Sequence, residues 1–279
     1  MDIPTRVSVV PYLCGGLGNV IWQSVAAWIV ARETGTAVAM YAPVTAVHNP
    51  AHDWTDYRQV VARFVDELLR GDENAACAAL LATGYAEHQE RVDAVAWTPR
   101  DLPHPPLVMK GYFQSYPSIE RYATEIRGMV RDGLRGPLAE ALAAVQTSAD
   151  DVAEYGFVHV RRGDYVHVAP LCTESYYRRA LALVPPHARL WIFTDDYDWV
   201  SSQAVFQDSR LRRPPPLKAM QTLALMGACT RACVVANSTF SWWGAFIGAT
   251  AAGSTVVAPA WQSSDRYPSA WTVLEDATT

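Results

Sequence analysis

Four short clusters stand at the ends of apolar runs: Gly15–Asn19 (GGLGN), His159–Asp164 (HVRRGD), Thr194–Asp196 (TDD) and Asn237–Ser241 (NSTFS). They collect the residue types that hold anions and hydroxyl-rich ligands: guanidiniums, carboxylates, amides, hydroxyls and glycines. In HVRRGD, side chains alternate along extended backbone, so His159 and Arg161 share a face and Arg162 points to the other. A guanidinium is a planar fork that matches two oxygens of one phosphate. Arg161 beside His159 therefore reads as an anion site. Arg162 reads equally well as the partner of Asp164 in a surface pair worth roughly 0–1 kcal/mol. In TDDYD, Asp195, Asp196 and Asp198 could hold Mg²⁺ or Mn²⁺ through oxygen. Nothing else in the chain supplies an obvious set of further ligands, so a helix N-cap by Thr194 or Asp195, or a ligand contact, is preferred and no metal site is expected.

NSTFSWWG places an amide and hydroxyls before a helix, where unpaired backbone N–H groups and the helix dipole favour an anion. Plain N-capping by Ser238 or Ser241 would look the same, and Trp242 and Trp243 read as core residues. GGLGN permits close backbone approach at a helix N-terminus, though an ordinary tight turn has this composition too. It is not a dinucleotide fingerprint: after Gly16-Leu17-Gly18 come Asn19, Val20 and Ile21, without the third glycine.

These clusters need strands to carry them. Apolar runs at 7–13, 36–43, 107–113, 156–160, 189–196, 232–236 and 254–259 predict strands, and 3.6-residue periodicity predicts helices over 20–35, 54–72, 73–89, 174–184, 220–230 and the segment opening at NSTFSWWG. The alternation predicts an α/β protein with two doubly wound, Rossmann-like halves facing across a cleft: an N-terminal domain over 1–150 and a C-terminal domain over 151–279, divided near the polar stretch QTSADDVAEYG. Ligands of open α/β sheets bind beyond the carboxyl ends of the strands, where all four clusters fall.

Half of the 279 residues are hydrophobic and 18% are charged, as in a globular protein with a sizeable core. A net charge of −5 argues against nucleic acid as a partner. Five scattered cysteines, none in a CxxC pair, point to reduced thiols. The N-terminus has no signal-peptide pattern, and no run reaches the roughly 18–20 apolar residues of a membrane span. A cytoplasmic protein, free or peripheral to a membrane, is expected.

In this order the clusters resemble glycosyltransferase family 11, the α-1,2-fucosyltransferases. The matching stretches are GGLGN with Gln23, GYFQS at 111–115, FVHVRRGDYV at 157–166, Tyr176-Tyr177, IFTDD at 192–196, ALM at 224–226, VVANSTFSWWGAF at 234–246, and VVAP followed by Trp261. The resemblance implies a two-domain GT-B-like fold. It also implies inverting transfer of L-fucose from GDP-fucose to the 2-hydroxyl of a galactoside, with no metal or other cofactor. By motif, Arg161 would grip the β-phosphate, with Gly16, Gly18, Asn19, His159, Asp195, Thr222, Asn237, Ser238 and Ser241 on the donor. Asp164 would be the catalytic base or the residue that orients Arg161, with Glu174 behind it, and Gln114 and Glu174 would face the acceptor. The first domain would be the acceptor side and the second the nucleotide-sugar side.

Two positions depart from the family pattern. Val20 stands where Gln is usual. Gln221 and Thr222 stand where an acidic residue would face guanine, and Thr222 cannot accept two guanine N–H bonds with charge. A different nucleotide-sugar donor, or a non-catalytic nucleotide- or sugar-binding protein, are the alternative readings. Trp54 and Trp97 read as core residues or as rings for sugar stacking.

Overall fold

A computed structural model describes residues 2–41, 54–90, 96–168, 170–250, 253–260 and 266–275. The chain divides into two compact units, residues 1–133 and 134–279.

The first unit carries strands β1 (Ser8–Tyr12), β2 (Ala37–Tyr41), β3 (Glu67–Leu69), β4 (Ala86–Gln89) and β5 (Leu107–Lys110), and helices α1 (Leu17–Thr34), α2 (Trp54–Val61), α3 (Glu73–Ala82), α4 (Tyr116–Ile119) and α5 (Ala123–Gly133). Its sheet runs β3-β2-β1-β5-β4, with every pairing parallel. Parallel strands are covered on both faces, which is why SVVPY and AVAMY are apolar almost throughout. Pro11 has no N–H to give; β1 pairs with β2 only at Ser8 and Val9, and Pro11 falls beyond that register. On one face Val10, Ala39, Tyr41 and Val108 bury Ala76, Cys77 and Leu80 of α3. α1 packs on β1, β2, α2 and α4, so it is buried nearly all round.

The second unit carries strands β6 (Tyr155–Val160), β7 (Arg189–Thr194), β8 (Leu211–Arg212), β9 (Ala232–Val234), β10 (Thr255–Pro259) and β11 (Thr272–Leu274). Its helices are α6 (Arg135–Val145), α7 (Ala149–Ala153), α8 (Tyr165–Val168), α9 (Glu174–Leu183), α10 (Tyr197–Ser202), α11 (Ala219–Ala228) and α12 (Thr239–Gly248). The sheet order is β11-β10-β9-β6-β7-β8, again parallel throughout. Val158 and Val160 of β6 pack with Tyr176, Tyr177 and Leu181 of α9. Phe157 faces the other way, toward Gly244 of α12. The helices that follow neighbouring strands β6 and β9 thus cover opposite faces, which makes the gap between these strand ends a topological switch point.

The structure redraws several expectations. The unit boundary falls near residue 133 rather than 150, because α6 packs on α11 and α7 on α11 and β6. The helices expected over 54–72 and 73–89 end early and are followed by β3 and β4. The first turns aside because the Asp66 amide donates to the Val38 carbonyl (2.9 Å) while its carboxylate accepts the Val38 amide (2.9 Å), recruiting the segment to β2. Among the described residues no helix is long and apolar enough to cross a membrane. All five cysteines are free thiols and four are buried.

Candidate active site

Val160 of β6 pairs in register with Thr194 of β7, so the residues just beyond, Arg161–Asp164 and Asp195–Asp196, meet at one sheet edge. Arg161 is gripped at both Nη atoms: Nη1 donates to Asp195 and Nη2 to Asp164, and the guanidinium lies 4.9 Å from the centre of the Tyr165 ring. The other oxygen of Asp195 accepts the Arg162 amide at 2.8 Å. Gly163 leaves room for this clasp: its φ is +20°, and a Cβ there would come 2.6 Å from Asp195 Oδ2. Gly163→Ala should therefore displace Asp195 and the guanidinium it holds, costing roughly 10- to 100-fold in kcat while the circular dichroism stays native. Unchanged kcat would mean that the clasp does not position Arg161 for turnover.

Arg162 points away, as the alternation predicts. Its Nε donates to Asp196 (3.1 Å) and its guanidinium stacks 4.1 Å from the Trp199 ring centre. The ion pairing is therefore Arg161 with Asp164 and Asp195, and Arg162 with Asp196, not the Arg162–Asp164 pair considered from sequence. Asp196 also caps α10 by accepting the Trp199 amide (2.9 Å), the role expected of Thr194 or Asp195, while Thr194 accepts the Asp196 amide (3.0 Å). The Trp199 amide and the Arg162 guanidinium hold the Asp196 carboxyl below its ordinary range.

His159 is 6% exposed, and its ring lies 5.9 Å from that of Phe240 in α12. Burial, with Arg161 nearby, lowers its pKa to about 3, so the imidazole is neutral. Its Nδ1 is buried without a hydrogen-bond partner. A buried polar atom left unpaired is costly, and at a strand end beside a guanidinium it marks where a ligand group would bond.

Beyond β9, Ser238 caps α12 by accepting the Phe240 amide (3.3 Å). Ser241, expected on the pyrophosphate, is fully buried; its hydroxyl accepts the Ala236 amide (3.2 Å) and donates to the Ser238 carbonyl (3.4 Å). Asn237 is also turned inward, donating to the Pro170 carbonyl and accepting from the Cys172 thiol (3.8 Å), which pins the 170–172 loop. Both side chains are engaged within the protein and shape the loop before α12. Trp242 and Trp243 are core residues.

Glu174, the further base candidate, pairs with Arg178 one helical turn on. Thr222 is half-buried in the first turn of α11. Its neighbour Gln221 accepts the Lys218 amide (2.8 Å) and donates to Glu140 of α6 (2.8 Å), so it is committed to capping and helix packing.

In the first unit the GGLGN cluster is shorter as a loop than expected, because α1 begins at Leu17 with Gly16 as its N-cap. Gly18 is buried within the first turn. Gly15 has φ +81°, and a Cβ there would meet Asn19 Nδ2 at 2.4 Å. Asn19 Oδ1 accepts from Gln114 Nε2 at 3.0 Å, joining the turn after β1 to the loop after β5. Buried Gln23 makes a second tie, accepting the Cys14 amide (3.0 Å) and donating to the Gly111 carbonyl (2.9 Å). Trp97 is a core residue whose indole donates to the Phe113 carbonyl (3.3 Å). Trp261 lies outside the described residues, as does the side chain of Trp54.

A model of glycosyl transferase family 11 matches residues 93–275. An α-1,2-colitosyltransferase of Escherichia coli is 28% identical over 139 residues, 42% of this chain and 47% of that protein. A galactoside 2-α-L-fucosyltransferase of Caenorhabditis elegans is 28% identical over 151 residues, 49% of this chain and 41% of that one. The chain thus spans less than half the length of these curated relatives. The crystal structure of fucosyltransferase NodZ from Bradyrhizobium shares the two-domain, GT-B type fold with a TM-score of 0.50 at 13% identity, covering 86% of this chain and 93% of that one. With its family model matched over more than half of its residues, the chain belongs to glycosyltransferase family 11.

Proposed function

We propose that the chain transfers L-fucose from GDP-fucose to the 2-hydroxyl of a terminal galactose, with inversion, and that its second unit holds the nucleotide. The observation that carries this reading is the switch point between β6 and β9, where a fixed guanidinium, Arg161, stands beside a buried neutral imidazole with an unpaired Nδ1.

As the bond from fucose C1 to the β-phosphate breaks, negative charge grows on the phosphate oxygens. Arg161 and the backbone N–H groups that open α12 are donors fixed before the reaction, so they stabilise that charge without reorganising. Asp164 is tied to the guanidinium, which favours an orienting role over that of a base. An oxocarbenium-like C1 is electrophilic enough that the acceptor hydroxyl needs little prior deprotonation. The carboxylates of Asp195 and Asp196 are already engaged by Arg161, Arg162 and backbone amides, which supports a reaction that needs no metal.

Incubation with GDP-fucose and lactose should give a fucosyllactose, α-1,2-linked by linkage analysis, at a rate unchanged by EDTA. The relative named for colitosyl transfer, together with Thr222 in place of an acidic residue, supports one second reading: the same site with another nucleotide sugar. Product from a different donor and none from GDP-fucose would establish that second reading. Binding of a nucleotide without transfer to any acceptor would overturn both.

A further inference from the structure

Tyr112 is the single exposed aromatic side chain among the described residues, at 45% exposure. The chain buries Trp22, Tyr57, Trp97 and Trp243, whereas this ring lies at the surface. It stands two residues beyond β5, at the carboxyl edge of the first unit's sheet, where Asn19 and Gln114 pair their amides.

The loop that presents it is held on both sides. Gln23 donates to the Gly111 carbonyl (2.9 Å), and one carboxylate oxygen of Glu90 accepts both the Tyr112 amide (2.6 Å) and the Phe113 amide (2.8 Å). Gly111 has φ +145°, and a Cβ there would meet Glu90 Cβ at 2.3 Å. Phe113 adopts φ +53°, a left-handed conformation that bulky residues rarely take. Its ring is fully buried against Trp97 and His88. A strained turn of this kind persists only where its surroundings fix it, and such turns concentrate at ligand sites. Its effect here is to bury Phe113 and turn its neighbour Tyr112 outward on a rigid support.

We propose that Tyr112 is a saccharide-binding residue, packing its ring against the apolar C–H face of a pyranose while the Asn19 and Gln114 amides reach its hydroxyls. A flat amphipathic ring with a few fixed polar groups around it suits a sugar, whose faces are apolar and whose rim is polar. The ligand class is a neutral hexopyranoside. The inference rests on the proposed transfer for the identity of that sugar as the acceptor, but the contact itself lies wholly within the first unit and needs no donor.

The test is saturation-transfer NMR of lactose, without nucleotide, on the full chain and on Tyr112→Ala and Tyr112→Phe. Wild type and Tyr112→Phe should saturate the sugar protons of lactose. Tyr112→Ala should weaken binding about tenfold, with its GDP affinity and circular dichroism unchanged. Equal lactose saturation in wild type and Tyr112→Ala, or none in wild type, would overturn the proposal. Because the readout omits nucleotide, a chain that fails to bind GDP but shows this loss would refute the donor reading and leave Tyr112 in place.

Discussion

Arg161→Ala folds and loses turnover by roughly 10²–10³-fold, the usual cost of deleting one preorganised donor to a developing oxyanion. Folding survives because the carboxylates left behind are tolerable: Asp164 is 55% exposed, and Asp195 keeps the Arg162 amide. Arg161→Lys should fall between the two, since an ammonium restores the charge but not the two-pronged fork or the pairing with two carboxylates at once. Single-turnover rates, with a circular dichroism spectrum for each variant, check the series. Turnover of Arg161→Ala within a few-fold of wild type would place the leaving-group charge elsewhere.

The second large effect is on stability in acid. An unfolded histidine takes up a proton near its ordinary value of 6.5, whereas the folded His159 does so only at about 3, because burial and Arg161 disfavour the cation. Between those values the unfolded chain binds more protons, so stability rises with pH across the window and is lost as pH falls through it. At roughly 1.4 kcal/mol per pH unit, the whole gap is on the order of 4–5 kcal/mol. Above pH 6.5 the group contributes no slope. Urea denaturation at pH 7.5 and 4.5 should show a smaller loss in His159→Phe than in wild type, the difference being about 2–3 kcal/mol. Carboxylates titrate in the same range, so the comparison between the two chains isolates the histidine. Equal losses in both would mean that His159 is charged in the folded protein.

What the sequence made legible follows the position of each element in its sheet. The interior strands β1, β2, β5, β6, β7, β9 and β10 are covered on both faces and stand out as apolar runs. The four edge strands do not. β3 and β4 fall in stretches whose periodicity predicts helices, β8 falls where no strand is expected, and β11 follows the last expected strand. Glu67–Leu69 and Ala86–Gln89 are short and alternate between part-buried and exposed residues except at Leu69, and they become strands by pairing with Ala39–Tyr41 and Leu107–Lys110, partners far along the chain. Local pattern carries no trace of such a partner.

The site divides in the same way. Alternation along one strand is local, so His159 and Arg161 could be placed on a common face and Arg162 on the other. The carboxylates that hold them come from the next strand, through the register Val160 with Thr194. Only that register reveals that Asp195 serves Arg161 and Asp196 serves Arg162. Ser241 and Asn237 carry the right chemistry for an anion, but whether a hydroxyl or an amide points outward depends on rotamers no motif records. In sequence Tyr112 reads as part of the apolar run 107–113, because exposure of an aromatic residue is a property of the folded loop, set by Glu90, Gln23 and the left-handed turn at Phe113.

The central claim is that the carboxyl ends of β6 and β9 hold a nucleoside diphosphate through Arg161. Calorimetric titration with GDP, on the wild type and on Arg161→Ala, tests it most directly. Wild type should bind GDP more tightly than UDP or ADP, and Arg161→Ala should bind it roughly 10- to 100-fold more weakly, the worth of a charge-assisted contact to phosphate. GDP binding of equal strength in both chains, or none in the wild type, would contradict it.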